Sequence, residues 1–390
     1  NLWLSLTVLT IFLYFELMVN HIQMTYYFLL VMIGIGIAEL IRAIKENRIP
    51  DFIKRTLLIF AAAAIALMSN FGNFYNTYQF AKHTIRGEKI LSPEMANEQE
   101  KNNSKGLDRD YIVQWSYGKT ETINLLFPTA KGDRTLGNKL FDELRKNPAE
   151  YNAVVKLYQD QQGKVFSYYW GDQPFTGGPN YIGAIVVFLA LLYLIFVHTT
   201  LKWSLLGVSI LALLLSWGDN LGGSVENMWL TNFFIDYVPL YSKFRAVSSI
   251  LVVLNFTLPL MAMLFVFKLM NNLEWAKNNF KKLAIGGGAI ILFLVIIAYS
   301  PSLIGFSSAN EEAIISQLMQ THNPQNGISP IQALEAVKET RHDLFLEDAW
   351  RSIGFILVSF LLLLLMIYKP NFNKYAVIGI TVLIVADNWI

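Results

Sequence analysis

Long apolar runs recur along the whole 390-residue chain and restrict what it can fold into. Hydrophobic residues make up 54% of the sequence and charged residues only 15%, well below the roughly 25% of an ordinary soluble domain. A helix that crosses a bilayer needs roughly 17 to 25 mainly apolar residues, and about nine segments meet or approach that length. They are residues 2–19, 24–44, 56–71, 181–197, 203–217, 246–267, 283–300, 353–368 and 375–386. We therefore predict an all-α polytopic membrane protein.

Basic residues indicate how these spans are oriented. Lysine and arginine accumulate in three short loops, and loops with this bias usually stay in the cytoplasm. The residues are Arg42, Lys45, Arg48, Lys54, Arg55, Lys268, Lys277, Lys281, Lys282, Lys369 and Lys374. Strict alternation then places residues 20–23, 71–180, 218–244, 303–351 and Asp387 on the extracytoplasmic side.

The alternation divides the chain into five predicted parts: three spans in 1–70, an extracytoplasmic loop domain in 71–180, four spans in 181–302, an extracytoplasmic helical segment in 303–350 and two spans in 351–390. A connection as long as 71–180 is usually a functional domain or lid. Apolar periodicity predicts amphipathic helices over 135–146 and 151–158. Ser329 and Pro330 predict another helix start. Residues 92–105 are polar and free of aromatics, so we predict a mobile loop there.

Composition and chain ends add further expectations. The sequence starts at Asn1, directly before an apolar run, and stops as another apolar run ends, so we expect an internal part of a larger protein, without a signal-peptide pattern at its start. It contains no cysteine, which excludes disulfides and thiol chemistry. The net charge is +2 and the basic residues are scattered over loops, which gives no sign of nucleic-acid binding.

Polar residues at the predicted outer membrane edge are the first site candidates. Glu16 interrupts an apolar run, and an ionisable group inside a span is a functional-site hypothesis by default. His21 and Gln23 follow at the helix break and could donate to a phosphate or a sugar hydroxyl. The alternative is that Glu16 reaches the nearby interface with its carboxylate and that the other two are merely solvated.

A second set lies before the sixth predicted span. Asp236 opens a loop that ends in Lys243 and Arg245. A guanidinium offers a rigid fork of donors that suits a lipid phosphate. The positive-inside trend gives no reason for two cations on the outer side, so we favour a ligand over ordinary contacts with lipid headgroups.

Aromatic residues alternate with carboxylates and amides in the predicted outer layer. Glu121, Asp172 and Gln173 stand in or near such stretches, and Asp387 follows the last apolar run on the same side. Flat rings with hydrogen-bonding neighbours could form a sugar platform, and an aromatic belt at the membrane edge is the alternative. The five histidines show no metal-ligand spacing and no phosphate-binding glycine loop is present. No metal residue and no certain cofactor is assigned, and a divalent metal held by carboxylates stays open.

Five stretches together resemble the YfhO-type family of bacterial membrane proteins, in the version found among Bacteroidetes. They are NHIQMTYY at 20–27, QWSYGKTETINLLFP at 114–128, YWGDQPFTGGP at 169–179, FIDYVPLYSKFRAVS at 234–248 and ADNW at 386–389. The resemblance covers essentially the whole chain. It implies a GT-C-like transmembrane helix bundle with an extracytoplasmic helical and loop layer, in the bacterial cytoplasmic (inner) membrane.

The same resemblance implies a function. GT-C glycosyltransferases take a sugar from a polyprenyl-phosphate carrier and transfer it on the outer face, here to a glycan, lipid or protein acceptor. Their catalytic carboxylate usually lies in the first extracytoplasmic loop, which we expect upstream of Asn1, so no residue is assigned as the base. The ten residues named above are expected to bind the carrier or substrate, with Arg245 as the best match to the carrier phosphate. The alternative is a non-catalytic transporter or flippase of lipid-linked glycans, which would need ionisable groups throughout the membrane depth.

Overall fold

The computed structural model describes residues 2–84, 107–133, 136–174, 176–177, 179–321 and 328–389. Within these ranges every regular element is helical, and the β-type pairing is limited to an isolated bridge between Gly132 and Tyr169. The prediction of an all-α protein is therefore confirmed for the described part of the chain. The predicted loop at 92–105 lies outside the described residues.

The α-helices of the described ranges are, in chain order, α1 (Leu2–Met18), α2 (Ile22–Lys45), α3 (Ile49–Ser69), α4 (Phe71–Ala81), α5 (Arg109–Val113), α6 (Leu136–Leu144), α7 (Pro148–Asp160), α8 (Ala184–Phe196), α9 (Thr200–Ser216), α10 (Trp229–Tyr237), α11 (Val252–Asn271), α12 (Leu273–Asn278), α13 (Phe280–Ala298), α14 (Pro301–Ile304), α15 (Ala309–Thr321), α16 (Pro330–Tyr368) and α17 (Asn373–Trp389). Short 3₁₀ helices lie at Thr120–Leu125, Gly218–Leu221, Tyr241–Lys243, Val247–Leu251 and Pro370–Phe372.

Each of the nine predicted spans coincides with helix, but not all are long enough to cross a bilayer. By length and composition, five described helices qualify: α2, α3, α13, α16 and the continuous stretch Val247–Asn271. Helix α8 has 13 residues, which at 1.5 Å per residue reaches about 20 Å of the roughly 30 Å required. It begins later than predicted because Gly183 (φ 106°) precedes it in a conformation that only glycine adopts readily. Helices α1, α9 and α17 have 17 residues each, at the lower limit.

The chain forms two compact units. The first contains Asn1–Ser116 and His198–Thr257, and the second contains Tyr117–Val197 and Leu258–Ile390. The boundary after Ser116 divides residues 71–180, which were predicted to form one extracytoplasmic loop domain. Backbone hydrogen bonds explain why the part before the boundary belongs to the first unit, since the Leu107 amide donates to Ser242 at 2.9 Å and the Ser248 amide to Trp115 at 3.3 Å.

Apolar helices pack closely in the first unit. Helix α2 lies against α9, and the hydroxyl of Ser204 donates to the carbonyl of Gly34. A side chain at Gly34 would collide with Val208, so a small residue is needed for this approach. Helix α4 follows α3 directly and lies at the start of the predicted loop domain. The turn between them is stabilised by Asn70, whose side-chain amide donates to the carbonyls of Tyr14 and Ala66.

Helix α16 organises the second unit. It has 39 residues, about 58 Å at 1.5 Å per residue, which exceeds the hydrocarbon thickness of a bilayer. It starts at Pro330, as Ser329 and Pro330 predicted, and a capping box in which Ser329 and Gln332 exchange hydrogen bonds fixes that start. The first half packs against α6, α7 and α15, and the apolar second half packs against α8, α13 and α17. A buried apolar core holds α6, α7, α15 and the first half of α16 together. It includes Leu140, Leu144, Val154, Phe166, Ile315 and Val337.

Candidate functional site

The turn that carries Arg245 has two unusual backbone residues. Leu240 (φ 68°) and Ala246 (φ 56°) both lie in the left-handed region, which costs a residue with a side chain about 1 to 3 kcal/mol. Such conformations persist only where the surroundings impose them, and they are common at binding and active sites. The turn is therefore held in a conformation that its own sequence disfavours.

The exposed side chain of Arg245 lies against two aromatic rings. Its guanidinium carbon is 5.6 Å from the ring centre of Tyr111 and 5.5 Å from that of Trp115. The guanidinium Nη1 donates to the Tyr111 hydroxyl at 2.5 Å. Cation–π attraction is worth about 0.5 to 1 kcal/mol at an exposed site, so the rings favour one direction of the guanidinium. Beside it, a cleft of about 220 Å³ is lined by Trp115, Arg245, Ala246, Ser248 and Ser249.

Gln23 holds the backbone of Arg245. Its amide nitrogen donates to the Arg245 carbonyl at 2.7 Å and to the hydroxyl of the buried Tyr27 at 3.0 Å. Gln23 and Arg245 were both predicted site residues, and the structure brings them together. Because the amide of Gln23 is engaged with the turn, Gln23 positions Arg245.

Glu16 and His21 lie at the same corner between α1 and α2. Glu16 is exposed and its carboxylate accepts a hydrogen bond from the Thr25 hydroxyl at 3.1 Å. His21 is exposed at the start of α2, and its carbonyl accepts the amide of Met24 at 3.0 Å. Among the contacts described, these two predicted site residues do not reach Arg245.

Asp236 and Lys243 occupy the two sides of the turn. The Asp236 carboxylate accepts from Nη2 of Arg109 at 2.6 Å, and Nη1 of the same guanidinium donates to the Asn232 side-chain oxygen at 2.5 Å. Asp236 therefore fixes Arg109 to α10. Lys243 is half-buried, and its amide donates to the carbonyl of Leu240 at 3.0 Å, which closes the strained turn.

The second unit contains a different kind of centre, built around Glu121. This carboxylate is only 1% exposed. Its Oε2 accepts from the Gly118 amide at 2.6 Å and from the Asp172 amide at 3.2 Å, and its Oε1 accepts from the Tyr169 hydroxyl. Burial raises the pKa of Glu121, and the three donors oppose that shift without cancelling it. Burial and the charge of Glu121 also raise the pKa of Tyr169, which keeps its proton available to the carboxylate.

Two glycines allow this approach. A side chain at Gly118 would collide with the carboxylates of Glu121 and Asp172, and one at Gly171 would collide with Glu121 and the Tyr169 hydroxyl. Asp172 itself is exposed, while the amide of the half-buried Gln173 donates to the Tyr169 hydroxyl at 3.3 Å. Three predicted site residues thus meet around Tyr169.

Asp387 is 1% exposed, although it was predicted to face the outer side as a ligand. Its Oδ1 accepts from the Tyr181 hydroxyl at 2.6 Å, and its Oδ2 accepts from the Ile185 amide at 3.4 Å. The carboxylate therefore lies at the N-terminus of α8, where the exposed amides and the helix dipole favour a negative charge. Both oxygens bind the chain itself, so Asp387 is a helix cap in this structure.

Sequence reasoning missed several partners of these residues. Arg109, Tyr111 and Tyr169 complete the two sites, but they are distant in sequence from the groups they bind. The buried pair of Arg341 and Glu311 was missed as well: two guanidinium nitrogens reach the carboxylate oxygens at 2.9 and 2.8 Å. Burial alone would raise the pKa of Glu311, but the hydrogen bonds and charge of Arg341 hold it below the usual value.

Other features offer less chemistry. A shallow depression of about 570 Å³ along α3 is lined by Pro50, Ile53, Lys54, Leu57 and Leu58 and has one charged side chain. Within the described ranges, no three acidic or histidine side chains are grouped closely enough to hold a metal ion. The possibility of a divalent metal stays a prediction.

The chain was compared with models of protein families, with curated proteins and with solved structures, and no match was found in any of the three comparisons.

Proposed function

We propose that this chain is part of a membrane glycosyltransferase of the GT-C-like kind, which takes a sugar from a polyprenyl-phosphate carrier and transfers it to a glycan, lipid or protein acceptor on the extracytoplasmic face. The resemblance of five sequence stretches to YfhO-type proteins supports the reaction class. The observation that carries the proposal is the Arg245 cleft, in which an exposed guanidinium is directed by Tyr111 and Trp115.

The size and position of the cleft favour a phosphate. Its volume of about 220 Å³ is below the roughly 300 to 1,000 Å³ of a pocket for a drug-sized ligand, so it suits a headgroup better than a whole lipid-linked sugar. Gln23, in the first turn of α2, holds the Arg245 backbone, and α2 is long and apolar enough to cross a membrane. An isoprenoid chain could therefore stay in the bilayer while its phosphate enters the cleft.

Each group would have a simple role. Arg245 would neutralise the charge that develops on the departing polyprenyl phosphate, since prepositioned donors stabilise developing charge without reorganisation. The Tyr111 hydroxyl accepts from Arg245, which leaves its own proton to be donated to a phosphate oxygen. Ser248 and Ser249 line the same cleft and add hydroxyl donors. Gln23 would act through the backbone of Arg245.

The test is the affinity of the protein in detergent for a short-chain polyprenyl phosphate. A hydrogen bond to a charged group is worth about 1.5 to 3 kcal/mol, and about 1.4 kcal/mol is tenfold in binding, so Arg245→Ala should weaken binding by about ten- to a hundredfold. Arg245→Lys should restore only part of it, because one ammonium does not reproduce a fork of donors.

Arg55→Ala is the matched control, since Arg55 is an exposed arginine of the first unit that pairs with Asp51 in α3 and does not line the cleft. Its affinity should equal that of the wild type. Equal affinities for wild type, Arg245→Ala and Arg245→Lys would overturn the phosphate assignment. Full binding without any transfer of labelled sugar by the full-length protein would favour the transporter alternative.

A further inference from the structure

Helix α10 has an apolar face that the described part of the first unit does not cover. Trp229, Phe233 and Tyr237 recur every four residues and are 67%, 51% and 75% exposed, and Leu240 just beyond the helix is 60% exposed. Residues four apart lie on one side of a helix. We call these four side chains the aromatic face.

The opposite side of α10 is already used. Leu230, Thr231, Phe234 and Ile235 are buried in the first unit. Arg109 binds Asn232 at 2.5 Å and Asp236 at 2.6 Å, and these two polar residues fix the rotation of the helix. The aromatic face therefore cannot turn inward without breaking these bonds. A helix with apolar side chains on two sides needs an apolar environment on each side, and the first unit supplies only one of them.

The end of α10 lies at the depth where a membrane-spanning helix begins. The Tyr26 hydroxyl donates to the carbonyl of Pro239 at 3.0 Å, and the rings of Tyr26 and Phe244 are 5.0 Å apart. Tyr26 is the fifth residue of α2, so it is about 6 Å from the start of that helix. Helix α2 is one of the five helices able to cross a membrane. This depth corresponds to the region between headgroups and acyl chains.

We propose that the aromatic face of α10 inserts into the interface of the bilayer leaflet at which α2 begins. Tryptophan and tyrosine are enriched at this level because their rings are apolar and their N–H and O–H groups remain hydrated. Leu29 and Ile33 follow Tyr26 by three and seven residues on the same side of α2 and are also exposed, as side chains that a bilayer covers. Lipid is therefore favoured over a protein partner as the occupant.

Insertion would also fix the depth of the strained turn. Only the residues 238–244 separate α10 from Arg245, and the Lys243 and Phe244 amides are bonded within that turn. A helix held at the interface therefore holds the cleft at headgroup level. The insertion itself does not depend on any sugar transfer.

The test uses the absence of cysteine from this sequence, which allows single nitroxide labels without background. Phe233→Cys, Tyr237→Cys and, as an exposed control before the helix, Glu226→Cys are labelled and reconstituted into vesicles of phosphatidylcholine and phosphatidylglycerol. Power-saturation measurements compare collisions with oxygen, which concentrates in lipid, and with a neutral water-soluble nickel chelate. We expect oxygen to dominate at 233 and 237 and the nickel chelate to dominate at 226.

A second measurement covers the case in which a labelled variant folds poorly. Trp229→Phe should remove part of the tryptophan fluorescence that brominated phosphatidylcholine quenches in the wild type. High nickel-chelate collision at 233 and 237, equal to that at 226, would overturn the proposal. Low collision with both reagents would also overturn it, because that result indicates a protein partner or a second copy.

Discussion

The Arg245 cleft of the first unit and the Glu121 centre of the second unit use charge in opposite ways. Arg245 is exposed on a turn with two left-handed residues and is directed by the rings of Tyr111 and Trp115. Glu121 is buried, and its two oxygens accept three hydrogen bonds from its own chain. Both were predicted to bind the carrier or substrate. Only the first has its charge at the protein surface.

The difference separates binding from support. A charged group can bind a ligand strongly only if it is not already satisfied, whereas a buried charge must be satisfied for the protein to fold at all. The left-handed residues Leu240 and Ala246 lie in the turn that carries Arg245. The donors around Glu121 instead join residues 118–121 to residues 169–172.

Glu121→Ala should give the largest effect, and it should fall on stability. The substitution leaves the Gly118 amide, the Asp172 amide and the Tyr169 hydroxyl without their acceptor, and the unmet groups that are buried, at Gly118 and Tyr169, cost about 1 to 3 kcal/mol each. We expect a loss of about 3 kcal/mol or more in a denaturant titration in detergent. Arg245→Ala, the matched variant, should lose about 1 kcal/mol or less, since its contacts are exposed.

The distinction between the two sites is wrong if Glu121→Ala loses binding and Arg245→Ala loses stability. A stable Glu121→Ala protein that fails to bind the polyprenyl phosphate would make Glu121 a ligand-binding residue. An unstable Arg245→Ala protein would make Arg245 a structural residue. Either result would remove the distinction between the two regions.

Local patterns predicted the helices well because they depend on near neighbours. The helix start after Ser329 was predicted from the serine and proline there, and the helices at Leu136–Leu144 and Pro148–Asp160 from apolar spacing. Helix α4 at Phe71–Ala81 was not predicted, although its aromatic residues have helical spacing. The division after Ser116 could not be predicted, since it rests on contacts between residues more than 100 positions apart, such as Leu107 with Ser242.

The sequence identified the charged site residues but not whether each one is exposed or buried. Arg245 and Glu121 are both polar groups among aromatics, and nothing nearby in sequence distinguishes an exposed cation from a buried anion. Burial of Asp387 depends on Tyr181 and the start of α8, about 200 residues away. The pair of Glu311 and Arg341 likewise joins separate helices. Long-range contacts of this kind leave no local pattern.

The pH dependence of the free energy of unfolding tests whether Glu121 is buried away from water in the folded protein. Burial raises the pKa of Glu121 in the folded protein, so its contribution is fully present below the unfolded value of about 4.3 and is lost as pH rises through the folded pKa. We expect wild type to lose stability relative to Glu121→Gln over that window, by about 1.4 kcal/mol for each unit of difference between the two pKa values.

Glu311 provides a control of opposite sign. Its pKa is lowered in the folded protein, so its contribution is present above about pH 4.3 and is lost as pH falls through the folded pKa. Glu311→Gln should therefore abolish a loss of stability on the acid side. Denaturant titrations from pH 3 to pH 8 would show both. Parallel pH profiles for wild type and Glu121→Gln would mean that Glu121 is hydrated.

The smallest effect is expected from Ala246→Gly, next to Arg245. Glycine adopts a positive φ without the steric cost that alanine has, but it also gains freedom in the unfolded chain, so the two terms partly cancel. We expect the free energy of unfolding to rise by less than about 1 kcal/mol. Ala313→Gly is the matched control, because Ala313 is exposed within α15, where glycine should cost about 0.5 to 1 kcal/mol.

If the strain at Ala246 serves to present Arg245, the more flexible glycine turn should bind the polyprenyl phosphate more weakly while the protein is equally or more stable. A variant that is destabilised as much as Ala313→Gly, with wild-type affinity, would mean that the left-handed conformation of Ala246 has no part in the site.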